Sequence, residues 1–407
     1  MSASAAGLRV AVVAACPFPA ARGTPVRILR LSEALADRGH EVQVVTYPLG
    51  DAEAVPANVE VHRTPRLPWY RFEGPGPSPT KLLLLDPMLV HTLRTCLRRR
   101  PVDLIHAHHY EGLLVALLAR PRDTPIVFDA HTLLGSELPT YGFRLPRALL
   151  ATGGRWLDRA LPARADHVIA VSGVIRDRLV AAAGLSAADV TVIGNGVEDH
   201  LLHHLPPSGG QSTRRTPILA YAGNLAAYQG VDLLLHALAE VRRQHPDIRL
   251  RLLTTDDFGP YRGLVDQLGI ADAVEVVPTP FHSLPEALDG ADLAINPRPQ
   301  ADGVPQKLLN YMALGLPVVS FDGAALDLVH GETGFRVDDG DAAALARAIS
   351  ACLERPDRAA EVGAKARAFA RERYSWAASA ARVEDVFRGL LTTGLSRMPA
   401  GARAVPN

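Results

Sequence analysis

A lysine just inside the start of a helix needs a reason. The stretch 297–307 (PRPQADGVPQK) leads into a helix-forming segment over 305–314, and Pro305 suits its first helical position. Lys307 then stands in the first turn, where it opposes the helix dipole. A bound phosphate would resolve the conflict, since helix N-termini attract anions; a solvated surface lysine is the plainer alternative. Arg298 lies in the same loop. Gly23 and Thr24 open another helix after an apolar run, where a glycine lets a ligand approach the backbone. An ordinary turn would look the same. Histidines collect at two run ends: His106, His108 and His109 close one, and His131 closes the next. Imidazoles suit proton handling near neutral pH, although His106 reads better as a core residue.

These residues are interesting only if the elements before them are strands of one kind. Apolar, β-branched runs at 8–15, 41–47, 103–108, 125–131, 166–171 and 190–193 alternate with helical patterns such as 26–38. The runs lack polar alternation, as parallel strands covered on both faces do. The second half repeats the scheme, with strands at 218–223, 250–255, 275–278, 292–296 and 318–321. Helices fall at 231–243, 284–288 and 305–314. Parallel strands need crossovers, so each half is an α/β doubly wound sheet. Two Rossmann-like domains facing across a cleft are expected, the first over 1–205 and the second over 217–375. The Pro/Gly/Ser/Thr-rich stretch 206–216 is the expected linker. A helix over 376–395 is expected to cross back to the first domain, followed by a loose tail, 396–407. In such sheets ligands sit beyond the strands' carboxyl ends. Asn224 and Gln229, after the strand at 218–223, join the candidates on that ground.

Composition narrows the function classes. The 407 residues carry 43 Lys+Arg and 43 Asp+Glu, so nothing electrostatic argues for nucleic acid. Three cysteines at wide spacing fit neither a disulfide framework nor a cysteine zinc site, and a cytoplasmic setting is expected. The first residues hold no signal-peptide pattern, and no apolar run approaches the 18 or so residues that span a bilayer. The chain has no G-x-G-x-x-G after the first strand, no Gly-Lys pair, no H-E-x-x-H, no C-x-x-C and no G-x-S-x-G. Asp339-Gly340-Asp341 matches a D-x-D pattern, yet Asp341 falls where a helix N-cap belongs, so no metal is expected. His200, His203 and His204 read as a solvated approach to the linker.

Taken together these loops resemble the retaining glycosyltransferases of family 4, which have the GT-B fold. The resemblance spans about residues 8–391. It rests on Gly23-Thr24, on Leu35-Ala36-Asp37-Arg38-Gly39-His40-Glu41-Val42, and on Gly223-Asn224 with Gly230. Its most specific part is Pro305-x-Lys307-Leu-Leu-Asn310-Tyr-Met-Ala313-Leu-Gly315-Leu-Pro317-Val-Val319; Val168–Ser172 and Asn195-Gly196-Val197 add to it. It implies a nucleotide-sugar donor held by the C-terminal domain, an acceptor held by the N-terminal one, and transfer with retention, without metal or cofactor. His131 matches the family's histidine near the transferred sugar, and Gly23 the loop beside the diphosphate. His108 and His109 are assigned to the acceptor side.

The departures concern charge. Many members carry Arg and Lys where this chain has Asn224 and Gln229, and a Glu-x7-Glu pair where it has Asp302 and Asn310. The expected compensation comes from Lys307 and Arg298, with Asp302 and Asn310 on donor hydroxyls. Two other functions stay open: a GT-B sugar-nucleotide epimerase and a non-catalytic sugar-nucleotide-binding protein. The acceptor is not legible. Leu67-Pro68-Trp69-Tyr70-Arg71-Phe72, the leucines at 82–85 and Arg98-Arg99-Arg100 fit either a lipid-linked acceptor at the inner face of the membrane or a packed loop and a solvated charge run.

Overall fold

The computed structural model describes residues 7–20, 23–51, 53–70, 78–141, 145–204, 216–280, 283–301, 304–325 and 327–397. The site candidate Asp302, most of the 206–216 stretch and nearly all of the tail lie outside the described residues. The chain forms two compact units, one of residues 1–194 with 376–407 and one of residues 195–375.

The first unit is a parallel sheet of β1 (Arg9–Ala14), β2 (Glu41–Thr46), β3 (Val59–Arg63), β4 (Leu104–His108), β5 (Ile126–Ala130), β6 (His167–Ala170) and β7 (Val190–Val192). Their order is β3-β2-β1-β4-β5-β6-β7. The strands form because their residues are buried on both faces: Val10 to Ala14 of β1 are at most 1% exposed. On one face pack α1 (Gly23–Asp37) and, from the far end of the chain, the long helix Trp376–Arg397. The other face is covered by α2 (Asp86–Arg99), α3 (His109–Ala119), the short α4 (Leu134–Glu137), α5 (Arg147–Ala160) and α6 (Gly173–Ala183). A wide helical turn, Lys81–Leu85, leads into α2.

The second unit repeats the scheme with β8 (Ile218–Ala222), β9 (Arg249–Leu253), β10 (Val274–Val277), β11 (Leu293–Asn296), β12 (Val318–Phe321) and β13 (Phe335–Val337), ordered β10-β9-β8-β11-β12-β13. Its helices are α7 (Asp199–His203), α8 (Val231–Val241), α9 (Gly259–Leu268), α10 (Leu284–Leu288), α11 (Gln306–Leu314), α12 (Ala342–Glu354) and α13 (Pro356–Arg373); Trp376–Arg397 is α14. In both sheets the chain runs outward to one edge and then reverses. The switch points, β1/β4 and β8/β11, are where ligands bind in such sheets. Among the described residues no helix is long and apolar enough to cross a membrane.

Three details differ from the sequence reading. Edge strands β3 and β13 are additional, half-exposed elements. The units divide at Gly194/Asn195, ahead of the 206–216 stretch, because Leu201 and Leu202 of α7 are buried beneath α11 and α13. Arg371 fastens the same segment by donating to the Leu202 carbonyl at 2.7 Å. Pro305 is the N-cap rather than the first helical residue of α11, so Lys307 is the helix's second residue. Asp341 caps α12, accepting from the Ala344 N–H at 2.9 Å, while Asp339 accepts from the Gly323 N–H at 2.7 Å.

Candidate functional site

Two constellations stand at the two switch points, one in each unit.

In the second unit, Lys307 extends from the first turn of α11 over the end of β8. Its Nζ donates to the Gln229 Oε1 at 2.8 Å and the Tyr221 hydroxyl at 2.9 Å, and lies 4.0 Å from the Tyr221 ring centroid. Tyr221 is wholly buried in β8 and passes its own proton on, donating to the Asn224 carbonyl at 2.5 Å. The ammonium thus has three neutral neighbours, two oxygens and a ring face, and no carboxylate partner among the described residues. Burial, with the nearby Arg298 guanidinium adding to it, pulls the Lys307 pKa down to about 7. A cation held without a counter-charge beside a helix N-terminus is ready for an anion.

Backbone geometry keeps this mouth narrow. Gly223 follows β8 with φ +143°, and a Cβ built on it would lie 3.0 Å from Lys307 Nζ. Gly230 (φ +70°) lets the loop after β8 lie on the loop after β11: a Cβ there would meet the Pro297 oxygen at 2.1 Å. Asn224 is exposed; its Oδ1 accepts from the Ala226 N–H at 3.2 Å, and its Nδ2 reaches the Tyr228 hydroxyl at 3.4 Å. Arg298 donates Nε to the Gln300 carbonyl at 2.7 Å and stacks over the Tyr228 ring at 5.0 Å. Asn310, one turn beyond Lys307, is buried, and its Oδ1 accepts from Gln306 Nε2 at 3.4 Å. It belongs to the packed side of α11, not to the Lys307 cluster.

In the first unit four histidines meet at the carboxyl ends of β4 and β5. His131 Nε2 lies 3.1 Å from His108 Nδ1, its ring stacks on His109 at 4.9 Å, and Thr24 Oγ1 bridges His109 Nε2 (3.1 Å) and His131 Nδ1 (3.4 Å). His109 has φ 62°, a positive value that a non-glycine residue seldom adopts. A side chain at Gly23, in the first turn of α1, would meet open space.

Beneath them lies a pair that spacing did not reveal. Arg27 of α1 and Asp129 of β5 are both 0% exposed and joined by three hydrogen bonds of 3.0–3.3 Å. Two further guanidinium N–H groups donate to the Ile193 and Gly194 carbonyls, at 2.9 and 2.8 Å. Asp129 also lies 3.3 Å from His106 Nε2 and 3.4 Å from His131 Nε2. Burial, the largest single influence, would raise its pKa; the Arg27 charge together with the His131, His106 and His108 rings outweighs it and holds the carboxyl well below its usual range. Burial pushes the His131 and His108 pKa values well below the ordinary imidazole range, Asp129 opposing, so both rings are neutral at pH 7. An ionised carboxylate only accepts, which favours the proton on His131 Nε2 and leaves Nδ1 as acceptor of the Thr24 hydroxyl. His106, His108 and Asp129 offer ligand atoms within 4.8 Å of one another, as a metal site would. The Arg27 guanidinium already occupies the carboxylate as a fixed cation beside it, so Asp129 is engaged in an ion pair rather than left open to a metal ion.

The sequence matches the model of Glycosyltransferase Family 4 over residues 21–201 and that of the glycosyl transferases group 1 over residues 216–355. The chain belongs to glycosyltransferase family 4. Among curated members, this family-4 chain is 28% identical to the D-inositol 3-phosphate glycosyltransferase of Thermobispora bispora, the match covering 94% of both chains. It is also 28% identical to D-inositol 3-phosphate glycosyltransferase 2 of Catenulispora acidiphila over 90% of each. In fold it resembles the sucrose-phosphate synthase of Thermosynechococcus elongatus (TM-score 0.75, 22% identity, 95% of this chain and 100% of that one). Anabaena HepE in complex with UDP is similar at TM-score 0.71 and 20% identity, over 94% and 100%. The two doubly wound parallel sheets and these neighbours make the architecture GT-B. Against the family's expected site, Gly223, Gln229 and Lys307 cluster tightly, as do Thr24, His108, His109 and His131. Arg298 stacks on Tyr228 and Asn310 is withdrawn. Tyr221, Asp129 and Arg27 are members of these clusters that the sequence reading missed.

Proposed function

We propose that this glycosyltransferase moves a glycosyl group from a nucleoside diphosphate sugar to an acceptor hydroxyl with retention of anomeric configuration, using neither a metal ion nor a cofactor. The observation that carries this reading is the Lys307 ammonium, half-buried among neutral partners at the mouth of α11. The charge to be stabilised grows on the leaving diphosphate oxygen, and a preorganised cation in a poorly solvated site is worth most where charge develops. Lys307 takes that role, with Arg298 adding charge, in place of the Arg and Lys found at 224 and 229 in many members. In the first unit, neutral His131 serves as a hydrogen-bonding group toward the transferred sugar, its ring fixed by Asp129 and Thr24. Asp302 is assigned to donor hydroxyls, and His109 with His108 to the acceptor side.

A thermal-shift panel of UDP-, GDP-, ADP- and dTDP-sugars tests the donor class. Ligand at 100 times its dissociation constant adds about 2.7 kcal/mol. UDP-glucose is a sensible first donor because HepE has been crystallised with it, and D-inositol 3-phosphate is a first acceptor because the curated relatives are named for it. The neutral Asn224 and Gln229 favour a second reading, a sugar-nucleotide binder without turnover. The two part at the product: donor binding with no transfer and no loss in His131→Ala supports the second. Transfer that His131→Ala abolishes supports the first, and the anomeric signal of the product by NMR reports retention.

A further inference from the structure

Away from both constellations, the first unit carries apolar surface that its own fold does not cover. Of the ten large apolar side chains left exposed among the described residues, eight belong to this unit. Seven of those lie on or beside α2, α3 and α5, the helical layer over one face of the sheet. The largest exposures are Leu83 (73%), Trp156 (66%) and Leu149 (58%). On α5, Leu149, Gly153 and Trp156 follow the i, i+4, i+7 spacing of one stripe, whereas Gly154 and Asp158 face inward and are buried. This stripe would ordinarily be polar.

The exposed charges of α2 and α5 have one sign, whereas on the neighbouring α6 the exposed Asp177 pairs with Arg176 at 2.8 Å. α2 and α5 contain one acid each, and both are turned in. Asp86 is 5% exposed and accepts from the Tyr47 hydroxyl. Asp158 is 4% exposed and accepts from the Leu134 and Gly135 N–H groups at 2.8 and 2.9 Å. Every charge these helices expose is therefore an arginine: 94, 98 and 99 on α2, and 147, 155 and 159 on α5. The chain as a whole is neutral, with 43 basic and 43 acidic side chains, so this is a local segregation of charge.

We propose that this helical layer docks on an anionic lipid bilayer, with Leu149 and Trp156 entering the headgroup region and Arg155 and Arg159 resting on lipid phosphates. Tryptophan favours that depth because its ring is apolar and its N–H still finds water or ester oxygens. Arginines beside it gain from the negative surface potential. The apolar groups are spread over several helices among cations, which suits a surface that asks only for sign and apolarity. A protein partner would ask for a defined groove and for charges of both signs. The inference does not depend on the transferase reading.

The test is co-sedimentation of the full chain with vesicles of phosphatidylcholine alone or mixed with phosphatidylglycerol. Binding to the mixed vesicles, lost at high salt and absent on phosphatidylcholine, is the expected result. Leu149→Ser with Trp156→Ser, and separately Arg155→Gln with Arg159→Gln, should each weaken it about tenfold or more. All four side chains are exposed, so the fold should survive, and an unchanged melting temperature checks that. In a Trp69→Phe background, tryptophan emission should shift to the blue with the mixed vesicles, since Trp376 is buried already. No sedimentation with the mixed vesicles, or equal sedimentation of the variants, overturns the proposal. So does a concentration-dependent dimer that Leu149→Ser abolishes while vesicles bind nothing, which would assign the face to a second copy of the chain.

Discussion

Lys307 and Gly223 fit each other as occupant and space: a side-chain carbon at residue 223 would begin 3.0 Å from the lysine nitrogen and 3.2 Å from its last methylene. The glycine's φ of +143° adds a backbone reason, since side chains rarely adopt that value. Gly223→Ala should therefore cost about 1–3 kcal/mol of stability, read as a lower melting temperature. It should also weaken nucleoside diphosphate binding more than nucleoside binding, because the displaced atom is the ammonium. Calorimetric titration with both ligands separates the two effects, and equal weakening would detach Lys307 from the phosphate.

Lys307 also makes binding depend on pH. With its pKa drawn down to about 7, it loses its proton as pH rises through neutrality. An arriving diphosphate holds the proton on, so the bound-state pKa is higher than the free one. Affinity should fall above about pH 7, by up to tenfold per pH unit. Lys307→Arg keeps its charge throughout this range and should give a flat profile above neutrality, while Lys307→Ala should bind weakly and flatly. A flat profile in the unmodified protein would show that the ammonium is not what the phosphate sees.

The histidine cluster sets the acid limit of the first unit. Folded His131 and His108 titrate well below 6.5, whereas the unfolded chain takes up those protons near that value. The unfolded state binds more protons, so stability falls as pH drops below about 6.5, by at most about 1.4 kcal/mol per pH unit for each ring. Asp129 acts in the same direction at lower pH: its depressed pKa stabilises above the ordinary carboxylate range and is lost below it. Urea midpoints between about pH 7 and pH 5 should show the slope, and His131→Asn should reduce it. Asp129→Asn removes the counter-charge of the buried Arg27 and should cost about 3–5 kcal/mol at any of these pH values.

That pair shows where sequence reading stops. β1, β2, β4, β5, β8 and β12 were legible to within a residue or two because strands buried on both faces are unbroken apolar runs. β3 and β13 escaped because half-exposed edges need no such run. The unit boundary escaped because composition marks polar chain, while Leu201 and Leu202 decide by packing where a unit begins. The histidines announced themselves by their place at strand ends. Arg27 and Asp129 are 102 residues apart and share no local pattern. The only signals were an arginine between the apolar residues Val26 and Ile28 of α1 and an acid inside the otherwise apolar β5. Tyr221 was hidden for the opposite reason, since an aromatic residue in a buried strand is what a core supplies anyway.

Gln229 decides whether the missing cations are a loss or a rearrangement. Its Oε1 lies 2.8 Å from the Lys307 nitrogen, and the residue is 5% exposed. A lysine at 229, which the family resemblance leads one to expect there, would set two ammonium groups within hydrogen-bond distance, with nothing between them. Gln229→Lys should therefore destabilise the second unit by about 1–3 kcal/mol and force one of the two amines to titrate below neutrality. It should not improve diphosphate binding, although it adds a positive charge. Exchanging the pair, Gln229→Lys with Lys307→Gln, returns one cation and one amide to the same hydrogen bond. Most of the lost stability should come back, together with measurable diphosphate affinity. If Gln229→Lys alone were as stable as the parent and bound the donor more tightly, the amide would be a passive substitution, and position 307 would not have taken over the role of the absent clamp.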